Sequence, residues 1–364
     1  MKREMSDKEI SVNLVTDQRY HSGIGSDTYG IYQLLKDSVS MELFSMNYLK
    51  SKELEASIRP QFLLYSKVFI DAPFIKFFNK LKLKQRRLLD GKNLHLMGTD
   101  YSLVEVSDNT ICTVHDFYMR LVDSYLLTHP KDLLASMYIN FNNLLSIYDF
   151  KHAKELVVHS EYVRNSIKQG LGLNSTVIPI HVRPGFIPRD KQRARKLLGL
   201  PLHKHILLNV SGGGQNKNLG LLKKCIESLD EDYLLIKINA PINAKKTLNV
   251  GIVPNFDYQL YFNAADIYIH SSVNEGFGIP LIEAMASGLP VIAYAAPASK
   301  EIVARYGVLI DDSDGVEAFK SAITEMVKRE EYLNYVSLSL ERALFFSRER
   351  IRALWLDTYE RVFS

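Results

Sequence analysis

Cysteine is nearly missing from this chain. Cys112 and Cys225 are the only two in 364 residues, and they lie in different halves of it. That excludes a disulfide scaffold and a cysteine-based zinc site, and it suits a reducing, cytoplasmic setting. No window approaches the roughly eighteen unbroken apolar residues of a membrane span. The opening Met1-Lys2-Arg3-Glu4 lacks the apolar core of a signal peptide. An excess of one charge is lacking too: 45 Lys and Arg against 41 Asp and Glu leave a formal +4. So mild a balance favours anionic ligands and gives no reason to expect nucleic acid. Repeats and low-complexity tracts are absent. What remains is 46% hydrophobic and 24% charged, an ordinary globular composition. The length exceeds what one core supports, so two domains of about 180 residues are expected.

Short apolar strands alternate with amphipathic helical segments along the whole chain, which predicts parallel sheets covered by helices on both faces. Ile10–Val15 reads as a strand, followed by a glycine turn with Gly23 and Gly25 and a helix from Thr28. Further strands are expected at Leu63–Tyr65, Leu94–Met97, Ile111–Val114 and Leu156–Ser160, with Ser160 capping a helix that starts at Glu161. Proline and glycine density rises over Ile180–Pro188, which places the domain link there. The expected division is residues 1–184, residues 185–345, and a final helix over 346–364. A second series begins with the strand His205–Val210, the loop Ser211–Asn218 with Gly213, Gly214 and Lys217, and a helix from Leu219. Tyr233–Ile238, Ala265–His270, Pro290–Tyr294 and Gly307–Ile310 complete the strands.

The most informative stretch is Asn274-Glu275-Gly276-Phe277-Gly278-Ile279-Pro280-Leu281-Ile282-Glu283-Ala284-Met285. It follows the strand that ends at His270. Gly276 and Gly278 permit a sharp turn and close approach of a ligand. Pro280 suits the first turn of a helix, where its missing N–H is no loss. The free amides of such a helix start form an anion site, and phosphate is the usual guest. Glu283 stands too near that anion to be its partner and is better placed to accept hydrogen bonds from sugar hydroxyls. A phosphate-gripping loop beside a ribose-gripping carboxylate describes a nucleotide-sugar site. The plain alternative is a strand–loop–helix joint with incidental acids.

The run Glu275–Glu283 resembles the E-x7-E motif of retaining glycosyltransferases, and its wording is close to that of family 4, the glycosyltransferases group 1. The resemblance implies the GT-B architecture: two doubly wound Rossmann-like α/β domains facing across a cleft, donor on the carboxy-terminal side and acceptor on the amino-terminal side. It implies a nucleotide diphosphate sugar as co-substrate, no cofactor, and a glycan, lipid-linked or small-molecule acceptor. Glu283 would hold the ribose, and Gly276, Phe277, Gly278 and Ile279 would line the donor. In the family, a lysine at the place of Lys217 contacts the diphosphate, where a cation stabilises charge building on the leaving phosphate. An arginine often stands a few positions before it; here there are Ser211, Gly212 and Gln215, and the amides of Gly213 and Gly214 are left to substitute. Lys217 as a solvated loop lysine is the alternative. No Asp-x-Asp pair stands where it would hold a metal, and none is expected, since helix dipole and Lys217 can take that role.

Thr113-Val114-His115-Asp116 resembles the family's first-domain histidine segment, in which the histidine lies by the reacting sugar. His115 at a strand end can bond a hydroxyl or move a proton near neutral pH; a satisfied structural histidine is the other reading. Gly23 and Gly25 resemble the loop that admits acceptor or phosphate, with Arg19 and His21 as further acceptor contacts. Glu275 would sit beside the donor sugar, either steadying charge in a same-face substitution or acting as a covalent nucleophile. Trp355 and Tyr359 could anchor a final helix crossing back to the first domain, or simply pack within the second. Residues 76–89, basic and interleaved with Phe and Leu, suit peripheral contact with an anionic membrane as well as a solvated helix face. Outside retaining transfer, a sugar phosphorylase and a non-catalytic glycan- or nucleotide-sugar-binding protein share these features.

Overall fold

The computed structural model describes residues 10–16, 22–45, 62–63, 92–97, 106–116, 147, 149–311 and 315–364. The chain forms two compact units. The first comprises Met1–Pro179 together with Ile351–Ser364, and the second Ile180–Arg350.

The first unit holds a parallel sheet of seven strands in the order β3-β2-β1-β4-β5-β6-β7. These are β1 (Ser11–Thr16), β2 (Ser40–Ser45), β3 (Phe62–Leu63), β4 (Leu94–Met97), β5 (Thr110–Val114), β6 (Glu155–Val158) and β7 (Thr176–Val177). Successive side chains point to opposite faces of a strand. Val12 and Leu14 of β1 therefore join one buried cluster, with Ile111, while Val15 joins the other, with Leu96, Cys112 and Val158. Both faces are apolar, as a parallel sheet requires. Helix α1 (Gly23–Leu35) starts on Ser22, whose hydroxyl accepts from the Gly25 amide at 2.9 Å. This corrects the expected glycine turn: Gly23 and Gly25 lie in the first helical turn, because a serine cap closes the helix earlier than the apolar pattern alone suggests. Helix α2 (Glu161–Leu171) is capped by Ser160, as its sequence predicts.

The second unit is a parallel sheet in the order β10-β9-β8-β11-β12-β13. The strands are β8 (His205–Ser211), β9 (Tyr233–Asn239), β10 (Thr247–Gly251), β11 (Ile267–His270), β12 (Val291–Tyr294) and β13 (Val308–Ile310). Leu207, Leu235, Ile267 and Ile292 face one apolar layer, and Leu208, Ile236, Tyr268 and Val291 the other. Helices α3 (Lys191–Leu197), α4 (Leu219–Ser228), α5 (Asn255–Ala264), α6 (Ile279–Ala286), α7 (Pro297–Val303), α8 (Gly315–Met326) and α9 (Arg329–Ala343) cover them.

The division between the units differs from the expected boundaries at 184 and 346. Ile180 and Phe186 are both buried in the second unit's core, so the first unit ends before the proline-rich stretch is reached. Phe346 is buried in that same core, and Val182 donates to its carbonyl at 2.9 Å. The returning segment consequently begins at Ile351, inside helix α10 (Arg348–Phe363). Ile351, Trp355, Tyr359 and Val362 repeat at helical spacing and bury into the cluster that holds Val12, Leu14 and Ile111. His95 on β4 fixes that helix: its Nδ1 meets the Tyr359 hydroxyl at 2.6 Å and its Nε2 meets Thr113 Oγ1 at 2.7 Å. Arg361 adds an ion pair to Glu155 at 2.6 Å. No helix among the described residues is long and apolar enough to cross a membrane. The segment 76–89, Arg19 and His21 lie outside the described residues.

Trp355 is 1% exposed, so Trp355→Ala should cost the first unit about 3–5 kcal/mol, read by chemical denaturation. His95 gives a pH signature. Burial, the largest influence, lowers its pKa from 6.5 to about 3. The folded chain leaves His95 neutral down to that pH, whereas the unfolded chain protonates it below about 6.5. Stability should fall as pH drops from 6.5 toward 3, and His95→Gln should flatten that decline.

Candidate active site

Strands β8 and β11 are neighbours in the sheet, with Leu207 opposite Ile267 and Leu208 opposite Tyr268. The strand order runs outward from this pair in both directions, which makes their carboxyl ends a topological switch point, where ligands of such sheets bind. The loop after β8 runs through Gly213 and Gly214 into a single 3-10 turn over Gln215–Lys217. Its Lys217 carbonyl accepts from Ser271 Oγ at 2.7 Å, and the Asn216 carbonyl from the Val273 amide at 2.8 Å. Asn216 Nδ2 donates to the Asn274 carbonyl at 2.9 Å. The two loops are thus stitched together along their length.

That stitching sets the charges. Lys217 Nζ donates to Glu275 Oε1 at 2.8 Å, and His270 Nε2 lies 3.4 Å from the same oxygen. Burial alone would raise the Glu275 pKa, but His270 and Lys217 outweigh it and the carboxyl is held below its ordinary value. His270 itself moves down, chiefly by burial. Gly278 caps α6 in the left-handed region with φ 104°. A Cβ there would come within 2.9 Å of the movable Leu281 Cδ1, so it is the left-handed backbone that requires glycine at this turn. The Leu281 amide returns to the Gly278 carbonyl at 3.0 Å. Phe277 is buried, its ring edge-on to Phe346 with centroids 5.8 Å apart, so only its backbone can meet a ligand. Ile279 is half-buried against the same core.

Glu283 is wholly buried. Arg183 Nε donates to its Oε1 at 2.6 Å with a second guanidinium nitrogen at 2.5 Å, and the Tyr258 hydroxyl donates to Oε2 at 3.0 Å. Burial dominates over these partners and its pKa is raised. A carboxylate has about four acceptor sites, so three donors leave capacity for another. Arg183 and Tyr258 were not legible as site residues. The only sequence signal is a lone arginine beside Pro184 and Gly185, and an aromatic on a helix that looks like core. Lys237 was missed as well. It interrupts the apolar strand β9, is fully buried, and donates to the Ser211 and Ile238 carbonyls at 2.7 and 2.8 Å. Burial and then Lys217 lower its pKa to about 8.

In the first unit His115 stands just past the end of β5, 9% exposed, with Nδ1 4.0 Å from Asp27 Oδ2. His159, just past β6, holds the same oxygen at 3.1 Å. Gly23 is exposed at the start of α1 and Gly25 is buried. Asp27, His115 and His159 are the one group of acidic and histidine donors among the described residues close enough to be weighed as a metal site, all within 4.8 Å of one another.

Residues 202–337 match the family described as Glycosyl transferases group 1. The O-antigen chain mannosyltransferase RfbU of Salmonella typhimurium is 23% identical over 78% of this chain and 79% of its own length. The O-antigen chain mannosyltransferase B of Escherichia coli is 29% identical over 75% and 76%. The putative teichuronic acid biosynthesis glycosyltransferase TuaC of Bacillus subtilis is 26% identical over 47% of this chain, and the match spans about half of it, 46%. Among solved structures, sucrose-phosphate synthase from Thermosynechococcus elongatus superposes over 97% of this chain and 99% of its own, with a TM-score of 0.72 and 16% identity. Anabaena HepE, in complex with UDP and glucose, superposes over 97% and 100% with a TM-score of 0.71 and 13% identity. Relatives and fold agree: the chain is a glycosyltransferase with the GT-B fold, and its residues 202–337 carry the group 1 match.

Proposed function

We propose that this glycosyltransferase is a retaining enzyme that moves a hexosyl group from a nucleotide diphosphate sugar to a hydroxyl of a growing glycan. The observation that carries the reading is the constellation at the β8–β11 switch point: a lysine–glutamate pair at 2.8 Å, a glycine-capped helix start, and a buried glutamate one helical turn further on. HepE supports a nucleotide-sugar donor, having been solved with UDP and glucose at the same fold. RfbU and mannosyltransferase B, each matched over about three quarters of both chains, support a glycan-chain acceptor and a mannosyl group.

In this reading the bond between the anomeric carbon and the diphosphate oxygen breaks, and a bond from that carbon to the acceptor oxygen forms on the same face. The acceptor proton passes to the leaving phosphate oxygen. Lys217 and the first-turn amides of α6 stabilise the diphosphate as its charge grows. Lys237, wholly buried behind the Ser211–Lys217 loop, adds positive potential there in place of the arginine this loop lacks. Glu283 holds the ribose with its remaining acceptor capacity while Arg183 and Tyr258 fix its orientation. Glu275, kept ionised by His270 and Lys217, steadies positive charge on the donor sugar, and His115 bonds a sugar or acceptor hydroxyl.

A thermal-shift panel of UDP-, GDP- and ADP-sugars, followed by turnover assays on the sugars that bind, identifies the donor. No stabilisation by any of them would end the reading. With the donor in hand, Lys217→Ala should lower kcat by about 10²–10³-fold with little change in nucleotide affinity. Glu283→Gln keeps the size and removes the charge that receives Arg183, and it should weaken binding of the nucleoside diphosphate itself. Equal affinity in wild type and Glu283→Gln would refute the ribose assignment. Anomer analysis of the product by NMR decides retention against inversion.

A further inference from the structure

Asp27, His115 and His159 form a second cluster, in the first unit and apart from the glutamate motif. Asp27 lies in the second turn of α1, while the histidines follow β5 and β6. All three are buried. His159 is held at both ring nitrogens: Nδ1 is 2.8 Å from the Ile178 carbonyl and Nε2 is 3.1 Å from Asp27 Oδ2. A carbonyl oxygen only accepts, so Nδ1 carries a proton. The carboxylate 3.1 Å from Nε2 favours a second proton on the ring. Ring and carboxylate therefore face each other as a buried ion-pair contact.

His115 is the third member. Its Nδ1 faces the same Oδ2 at 4.0 Å, and its ring lies against that of His159 with centroids 4.8 Å apart and planes at 46°. Its Nε2 is buried and has no hydrogen-bond partner among the described residues. A negative oxygen on the Nδ1 side, in low dielectric, favours the ring proton on that nitrogen over the other. We propose that Asp27 and His159 are positioning residues that lock His115 as the Nδ1–H tautomer and present its Nε2 lone pair to a substrate hydroxyl. Burial and the neighbouring His159 charge keep His115 neutral, with a pKa lowered to about 3 despite Asp27. The pKa of His159 is raised, because Asp27 outweighs its burial. Neutral His95 on β4, and Asp116 beyond β5, are the other titratable groups felt by the cluster. One divalent ion would need its donors within about 4.2 Å of one another, twice a normal metal–nitrogen distance. The three donor atoms lie within 4.8 Å of one another, and the 3.1 Å His159–Asp27 separation is an ion-pair contact. A proton fits without movement.

The substrate part of this inference rests on the transferase reading, but the tautomer does not, and the test separates them. Full-length protein labelled with 15N-histidine is observed by long-range 1H–15N correlation between about pH 6 and 8, the range in which free histidine titrates. His115 should show a protonated Nδ1 and a bare Nε2 throughout, and His159 should show both nitrogens protonated. In Asp27→Asn, His115 should shift toward Nε2–H, and kcat on the donor found by the panel should fall roughly 10²-fold with KM held. Wild-type His115 protonated at Nε2 overturns the proposal, and so does an unchanged tautomer in folded Asp27→Asn. An equivalent of bound divalent metal in the purified protein, with metal-shifted imidazole nitrogens, overturns it too. Should Asp27→Asn not fold, the wild-type spectrum alone decides. If no donor is turned over, the tautomer assignment still stands or falls on its own spectrum.

Discussion

A parallel sheet brings every strand to its carboxyl end at the same edge, and the chain must leave there. Where adjacent strands send it to opposite sides, a crevice opens that no crossover helix fills. β8 and β11 are that pair in the second unit. Topology forces the two loops that follow them into one place, although Lys217 and Glu275 are 58 residues apart in sequence. The loop-to-loop bonds from Ser271, Val273 and Asn216 hold them there. The charged pair at 2.8 Å is thus a consequence of strand order first and of side-chain choice second.

Strand β11 carries charge at both ends, and the two ends differ in kind. Ahead of its amino end, Asp266 Oδ2 accepts from Arg195 and from the Ile206 amide, and Oδ1 from Lys191. Arg195 also donates to the carbonyls of Ala264, Leu202 and Lys204. That network ties helix α3 and the start of β8 together, its hydrogen bonds offsetting the desolvation of the buried charges. Beyond the carboxyl end, Glu275 shares one oxygen between a lysine and a histidine, and Glu283 retains acceptor capacity beyond Arg183 and Tyr258.

The sequence exposed whatever depends on local order. The strand β11, the turn at Gly278 and the helix behind Pro280 follow from residue types in a row. So do the Ser160 cap and the apolar alternation of β4, β5, β8 and β9. Three strands escaped. β2 mixes polar and apolar residues, β7 has two residues, and β10 is a half-exposed edge with no apolar face to reveal it. The start of α1 was misplaced because Ser22 as a cap competes with two glycines that read as a turn. Within the site, Arg183, Tyr258 and Lys237 were hidden for a different reason. Each joins the site only by virtue of where a distant segment lies, 100 residues away in the case of Arg183 and Glu283. Asp27 and His159 were hidden likewise, since nothing local joins a helix to the end of β6.

Both units solve the same electrostatic problem in opposite senses. The β8–β11 site concentrates positive charge through Lys217 and the buried Lys237 and balances it with Glu275, leaving a nearly neutral resting pair. The first unit instead confines its charges to Asp27 and His159 and leaves His115 neutral beside them. A neutral acceptor suits a hydroxyl, and a cation suits a phosphate. Burial makes each choice durable, because in a low-dielectric setting the charge state is set by the nearest fixed partner and not by the bulk solvent.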